Sequence, residues 1–156
     1  MSAEYPLRKW ETNQAQEVDV LMGACLLLRK EVLDQVGFLD EDYFIYSEEV
    51  DLCYRIQRAG WRMYWVPQAE VVHFGGQSTR QVPTEMFLNL YHGKIKYFRK
   101  HHGWLAAQIY KLILRAAAFS RLLLAPFVIF ERSSHRQKHL TLVNCYWRLI
   151  LALPRM

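Results

Sequence analysis

The chain changes sign near its midpoint, and this constrains its fold more than any single motif. Residues 1–78 carry 7 Lys/Arg against 13 Asp/Glu, a net of −6; residues 79–156 carry 13 against 2, a net of +11. The sequence pattern changes with the charge. The acidic half is cut by glycines into short apolar runs, whereas the basic half reads as long helical stretches. Two kinds of local structure, meeting different partners, are therefore expected.

At 156 residues, 52% of them hydrophobic, the chain can bury a modest core and is not disordered. Residues 1–17 are polar and irregular and read as a surface segment. Val18–Arg29 is a nearly continuous apolar run with Gly23 and Ala24 in its middle. It predicts a strand of a buried sheet with a close backbone approach at the glycine. Lys30–Val36 predicts a short helix ended by Gly37. Phe38–Tyr46 is a loop of acids and aromatics. Ser47 is placed as N-cap of a helix that ends at Gly60 and buries Leu52, Cys53 and Ile56. Arg62–Val66 and Ala69–Phe74 predict two extended pieces around Pro67. This alternation of strand and helix signals predicts an α/β layer over residues 18–83.

Residues 84–156 form the second region. Helices are expected over Thr84–His102, Trp104–Phe130 and His135–Leu153, basic and amphipathic. In the middle one Gln108, Lys111 and Arg115 share a stripe, with Leu, Ile and Ala elsewhere. Its longest uncharged run, Leu122–Phe130, falls short of the roughly 20 apolar residues that a bilayer span needs. Cations interspersed with long apolar faces suit a headgroup layer better than a nucleic acid, so an interfacial helix on a membrane surface is expected, and no nucleic-acid partner. Three widely spaced cysteines, Cys25, Cys53 and Cys145, argue against a disulfide framework or a zinc knuckle. Cys25 and Cys53 are expected as small buried hydrophobes in a reducing, cytosolic setting. The N-terminus lacks the pattern of a signal peptide.

The residues with chemistry to offer lie mostly in the acidic half. Glu48, Glu49 and Asp51 fill a first helical turn. Acids sit there for dipole reasons alone, or one of them serves as general base to a hydroxyl, kept ionised by the helix N-terminus. His73, after the apolar pair Val71-Val72, reads either as a core histidine or as one ligand of a divalent ion. Gly75 and Gly76 would let a diphosphate approach the backbone, with Ser78 and Arg80 as donors. Asp40-Glu41-Asp42 is a D-x-D in letters only. It follows a helix and a glycine, not a buried strand, and reads as a solvated turn or as a loop contacting an acceptor.

In order along the chain, these elements resemble the C-terminal half of a family 2 glycosyltransferase of the bacterial rhamnosyltransferase-like kind. The resemblance runs from about Val18 to Gly103. It comprises Gly23-Ala24-Cys25-Leu26-Leu27-Leu28-Arg29, Val36-Gly37-Phe38-Leu39-Asp40-Glu41, Phe44-x-Tyr46-x-Glu48-Glu49-x-Asp51-Leu52-x-x-Arg55, Gly60-Trp61, Val66-Pro67 and Val72-His73-x-x-Gly76-x-Ser78.

The resemblance implies the C-terminal portion of a GT-A fold and an inverting transfer from a nucleotide-diphospho-sugar to a glycan or lipid-linked acceptor in cell-wall or polysaccharide biosynthesis. By position Glu49 matches the family's base, where Asp is usual, Glu48 and Asp51 its supporting acids, and His73 a ligand for Mg²⁺ or Mn²⁺. Asp40, Glu41, Tyr46, Trp61, Ser78 and Arg80 are the expected substrate contacts. The family's donor-binding half, with its own D-x-D, has no counterpart in these residues. Little activity is therefore expected of the chain alone, with a separate N-terminal fragment as its partner. The implied location is the cytoplasmic face of the inner membrane, as a peripheral protein. The competing expectation is a non-catalytic, membrane-associated remnant or interaction protein.

Overall fold

The computed structural model describes residues 14–74, 76, 82–125 and 139–156, and the backbone of 133–138. The elements, in order, are β1 (Gln16–Glu17), α1 (Lys30–Val36), α2 (Glu48–Arg58), β2 (Tyr64–Trp65), α3 (Pro83–Leu124) and α4 (Ser133–Ala152). They fall into two compact units, one around α1 and α2 and one around α3 and α4, with residues 44–46 grouped in the second.

In the first unit, α1 covers the expected residues and stops at Gly37, whose φ of 80° is open to glycine and strained for other residues. Its core gathers Val32, Leu52, Cys53, Ile56 and Met63, with Val18, Leu21, Leu28, Val36 and Trp61 packed against it. Leu52, Cys53 and Ile56 recur on one face of α2, the spacing that lets a helix bury a stripe. Burying Leu52 and Ile56 contributes roughly 1.5–3 kcal/mol each. The Trp61 indole N–H donates to Gln35 Oε1 at 2.8 Å, and Gln57 Nε2 to Asp19 Oδ1 at 2.9 Å.

The expected sheet is where structure and sequence part. Among the described residues the only sheet is one antiparallel pair, with Gln16 opposite Trp65 and Glu17 opposite Tyr64, extended by Val18 N–H donating to the Met63 carbonyl at 3.0 Å. Val18–Arg29 is not a buried strand: Met22 is half exposed and Leu27 wholly so. Residues 69–74 are exposed and lie in no strand. An extended apolar segment becomes a buried strand only when neighbours take its backbone N–H and C=O groups and cover its faces. Beyond the Val18–Met63 bond no strand pairs with these segments among the described residues, although Val18, Leu21 and Leu28 reach the core. Cys25, expected to be buried, is exposed for the same reason, while Cys53 and Cys145 are buried.

In the second unit α3 is broken at Gly103, whose φ of 86° and ψ of 174° belong to glycine alone. The break lets the two arms contribute to one core of Ile95, Ala107, Leu114, Leu149 and Leu153. Phe98 and Tyr110 stack across it, with centroids 4.7 Å apart. On α4, Tyr146 meets Phe87 edge-on at 5.2 Å and lies under Arg121 at 4.9 Å. The expected helix ends at 126–130 lie outside the described residues.

Candidate active site

The first turn of α2 begins on an unusual backbone. Tyr46 and Ser47 have φ of 68° and 74°, two consecutive non-glycine residues in the left-handed region. Such strain persists only where the surrounding structure fixes it. Ser47 occupies the N-cap position, as expected, but its side chain makes no capping hydrogen bond. Directly after it, Oε2 of Glu48 and Oε2 of Glu49 are both buried and have no hydrogen-bond donor among the described residues. A buried carboxylate oxygen without a protein donor is costly, and a bound water, ion or ligand is what can satisfy it.

Gly23 supplies the close approach that its sequence context suggests, and its target is Glu49. A methyl group on Gly23 would stand 3.4 Å from Glu49 Cβ and 3.7 Å from its Cγ. The apolar segment thus runs along the Glu49 side chain and helps to exclude water from it. Burial is the main cause that pushes the Glu49 carboxyl above its ordinary value; the neighbouring charge of Glu48 adds to this. Backbone N–H groups of Glu49, Val50 and Ser47 oppose it and are outweighed. The helix start was expected to keep this acid ionised, and burial turns out to be the stronger effect. A carboxylate lifted toward neutrality is a better proton acceptor than an ordinary one, provided it remains ionised at the working pH.

Asp51 has a different environment. It is fully buried and accepts from Arg55 Nε at 2.7 Å. The Arg55 guanidinium also donates to the carbonyls of Val36 and, at 2.7 Å, Phe38. Arg55 therefore fixes α2 against the end of α1, and Asp51 belongs to that clamp. The sequence pattern includes Arg55 but gives no hint that it engages Asp51 and the carbonyls of Val36, Gly37 and Phe38 together.

The remaining expected site residues are dispersed. Asp40 closes its own turn, with Oδ1 accepting from Asp42 N–H at 2.9 Å and its carbonyl from Tyr43 N–H at 3.1 Å, which matches the turn reading of that loop. Glu41 is exposed. Trp61 packs on the core of the first unit through its ring, and its N–H is held by Gln35. Tyr46 groups with the second unit. Ser78 and Arg80 lie outside the described residues, as does Gly75. His73 is exposed in the extended segment 69–74. Among the described residues no three His, Cys, Asp or Glu side chains converge as a metal site requires. These residues do not form a divalent-cation site by themselves, and His73 offers a single imidazole.

Similarity to known proteins bears on this acidic turn. The family model described as "Glycosyltransferase like family 2" matches residues 3–90, more than half of the chain. The N-acetylglucosaminyl-diphospho-decaprenol L-rhamnosyltransferase of Mycobacterium tuberculosis is 38% identical over 115 residues, covering 67% of this chain and 37% of that protein. Rhamnosyltransferase WbbL of Escherichia coli is 33% identical over 70 residues, 45% of this chain and 26% of that protein. The low-salt glycan biosynthesis hexosyltransferase Agl10 of Haloferax volcanii is 34% identical over 53 residues, 34% of this chain and 17% of that protein. The chain thus spans little more than a third of the length of the mycobacterial relative, and less of the others. No solved structure matches it. The family's fold is the GT-A fold of nucleotide-sugar transferases, and the first unit, with Glu48 and Glu49 at its strained turn, falls inside the matched residues; the chain belongs to glycosyltransferase family 2 and is rhamnosyltransferase-like.

Proposed function

We propose that this chain carries the acceptor-activating part of an inverting glycosyltransferase, with Glu49 as general base. The observation that carries the proposal is the pair of carboxylate oxygens on Glu48 and Glu49, buried and without a donor among the described residues, with Glu49 beside Gly23 in a family member. In the proposed step an acceptor hydroxyl gives its proton to Glu49 while its oxygen attacks the anomeric carbon of a nucleotide-diphospho-sugar. The bond from that carbon to the diphosphate breaks, the diphosphate leaves with the electron pair, and the configuration inverts. Glu48, one residue away, holds the acceptor, and Asp51 positions the helix through Arg55. The names of the relatives suggest rhamnose as the sugar and a diphospho-polyprenol-linked amino sugar as the acceptor. His73 offers one ligand to a divalent cation whose remaining ligands would come from the donor diphosphate and from outside the described residues.

The exposed apolar segment at Val20–Leu28 supports a second element of the proposal, that the donor-binding strands are supplied from beyond the described residues. The test is transfer from a panel of nucleotide-diphospho-sugars to the polyprenyl-linked acceptor. It is run with the chain alone and with the chain joined to the donor-binding portion of a relative. Turnover only when joined, abolished by Glu49→Gln, is the expected result. Efficient turnover by the chain alone would remove the second element. Joined protein that binds donor but never transfers would favour the non-catalytic alternative.

A further inference from the structure

After Gly103, α3 buries one face and leaves the opposite face bare. Ala107, Leu114 and Ala118 are the buried side. Across the helix, Leu105, Ile109, Leu112, Ala116, Phe119 and Leu123 recur at alternating intervals of four and three residues, and all are exposed. Leu105, Leu112 and Leu123 are 65%, 64% and 63% exposed. This makes a continuous apolar stripe about 27 Å long at 1.5 Å per residue. An unpartnered stripe of this size on a folded surface marks an interaction site. α4 repeats the pattern: Cys145 and Leu149, with Leu153 just after the helix, are buried, whereas Leu140, Trp147 and Leu151 are about half exposed on the other side.

Charge decides what can cover the stripe. Lys111 and Arg115 flank it, and the sequence has no Asp or Glu between Met86 and Phe130. A second copy laid along it would set Arg115 and Lys111 against cations with no acid to answer them, the like-charge arrangement that opposes helix pairing. The positive field extends to the first arm. Burial lowers the His92 imidazole from its ordinary value, and Lys96 and Lys111 lower it further. An apolar face with a cationic shoulder and an exposed Trp104 at its start has the composition of a helix lying in a headgroup layer. No helix among the described residues is long and apolar enough to cross a membrane.

We infer that the Leu105–Leu123 face of α3 docks in the plane of an anionic lipid bilayer surface, with its apolar stripe in the acyl boundary and Lys111 and Arg115 among the phosphates. The inference does not rest on the transfer chemistry, and its test needs neither donor nor acceptor. The intact chain is sedimented with vesicles of phosphatidylcholine alone and of phosphatidylcholine mixed with phosphatidylglycerol. Binding to the anionic vesicles, weakened by salt, is expected. The double substitution Leu112→Glu with Phe119→Glu should weaken it by about tenfold or more at unchanged helix content, because both side chains are exposed in the free protein. Lys111→Gln with Arg115→Gln should reduce the preference for phosphatidylglycerol. Equal binding of the Leu112/Phe119 variant would overturn the inference. So would a vesicle-free dimer, seen by sedimentation equilibrium, that the same variant dissolves.

Discussion

Arg55 Nε and Asp51 Oδ2 meet at 2.7 Å with Asp51 fully out of solvent, while the acids three and two residues earlier each leave a buried oxygen unbonded among the described residues. Three carboxylates on one helical turn thus divide into one held in an ion pair and two with an oxygen that no described donor reaches. Arg55→Met should remove the cation that pairs with the buried Asp51 carboxylate and release α2 from the carbonyls at the end of α1. A loss of about 3–5 kcal/mol is expected from urea unfolding. A loss below about 1 kcal/mol, the range of exposed pairs, would show that the clamp does not hold the helix.

Glu49→Gln should behave in the opposite way on stability. The native carboxyl is raised by burial, so the folded protein holds that proton more tightly than the unfolded chain does. Its favourable contribution is present below the ordinary carboxylate value and is lost as pH rises through the raised native value. At neutral pH the ionised group opposes folding, and the amide removes that opposition. The variant should melt above the parent at neutral pH, with the difference vanishing in acid. In a transfer-competent enzyme the same change should lower kcat by about 10²–10⁴-fold and leave donor binding intact. If Glu48→Gln proves the lethal change instead, the base is one residue earlier.

Gly23→Ala tests whether the approach of the apolar segment tunes the base. The added methyl meets Glu49 Cβ at 3.4 Å, an ordinary contact, so little stability should be lost. Closer burial should lift the Glu49 carboxyl further and move the acidic limb of the pH–rate profile upward. An unmoved limb would mean that Gly23 serves the fold alone.

The elements that carry their own reasons were legible in the sequence. α1 and its Gly37 stop, the buried stripe of α2, and the break of the basic half at Gly103 all follow from local spacing and glycine chemistry. The sheet was not, because Val18–Arg29 and residues 69–74 depend on neighbours that local pattern cannot supply. At the site, the acids and the Gly23 approach could be read from the sequence. The left-handed turn at Tyr46-Ser47 could not, since neither residue is a glycine. Nor could the separation of Asp51 from Glu48 and Glu49, which rests on the grip of Arg55 and not on helical position.

The structure leaves His73 exposed, not in a core, and His73→Ala tests whether its imidazole serves a metal ion. The side chain is exposed, so its removal should change stability by no more than about 0.5 kcal/mol. In a transfer-competent enzyme the Mn²⁺ concentration for half-maximal rate should rise. A clear drop in melting temperature with an unchanged Mn²⁺ requirement would assign His73 to the fold.

Gly103→Ala should loosen the second unit without touching the first. An added Cβ meets nothing within 4 Å, so its whole cost lies in the backbone, where φ of 86° with ψ of 174° is open to glycine alone. A penalty of about 1–3 kcal/mol is expected in thermal unfolding. Relief of that strain by straightening the helix would part Phe98 from Tyr110 and pull Ala107 away from Ile95. A far-UV signal that rises while the near-UV aromatic signal falls would reveal such straightening. An unchanged melting temperature would show that the break is not set by glycine.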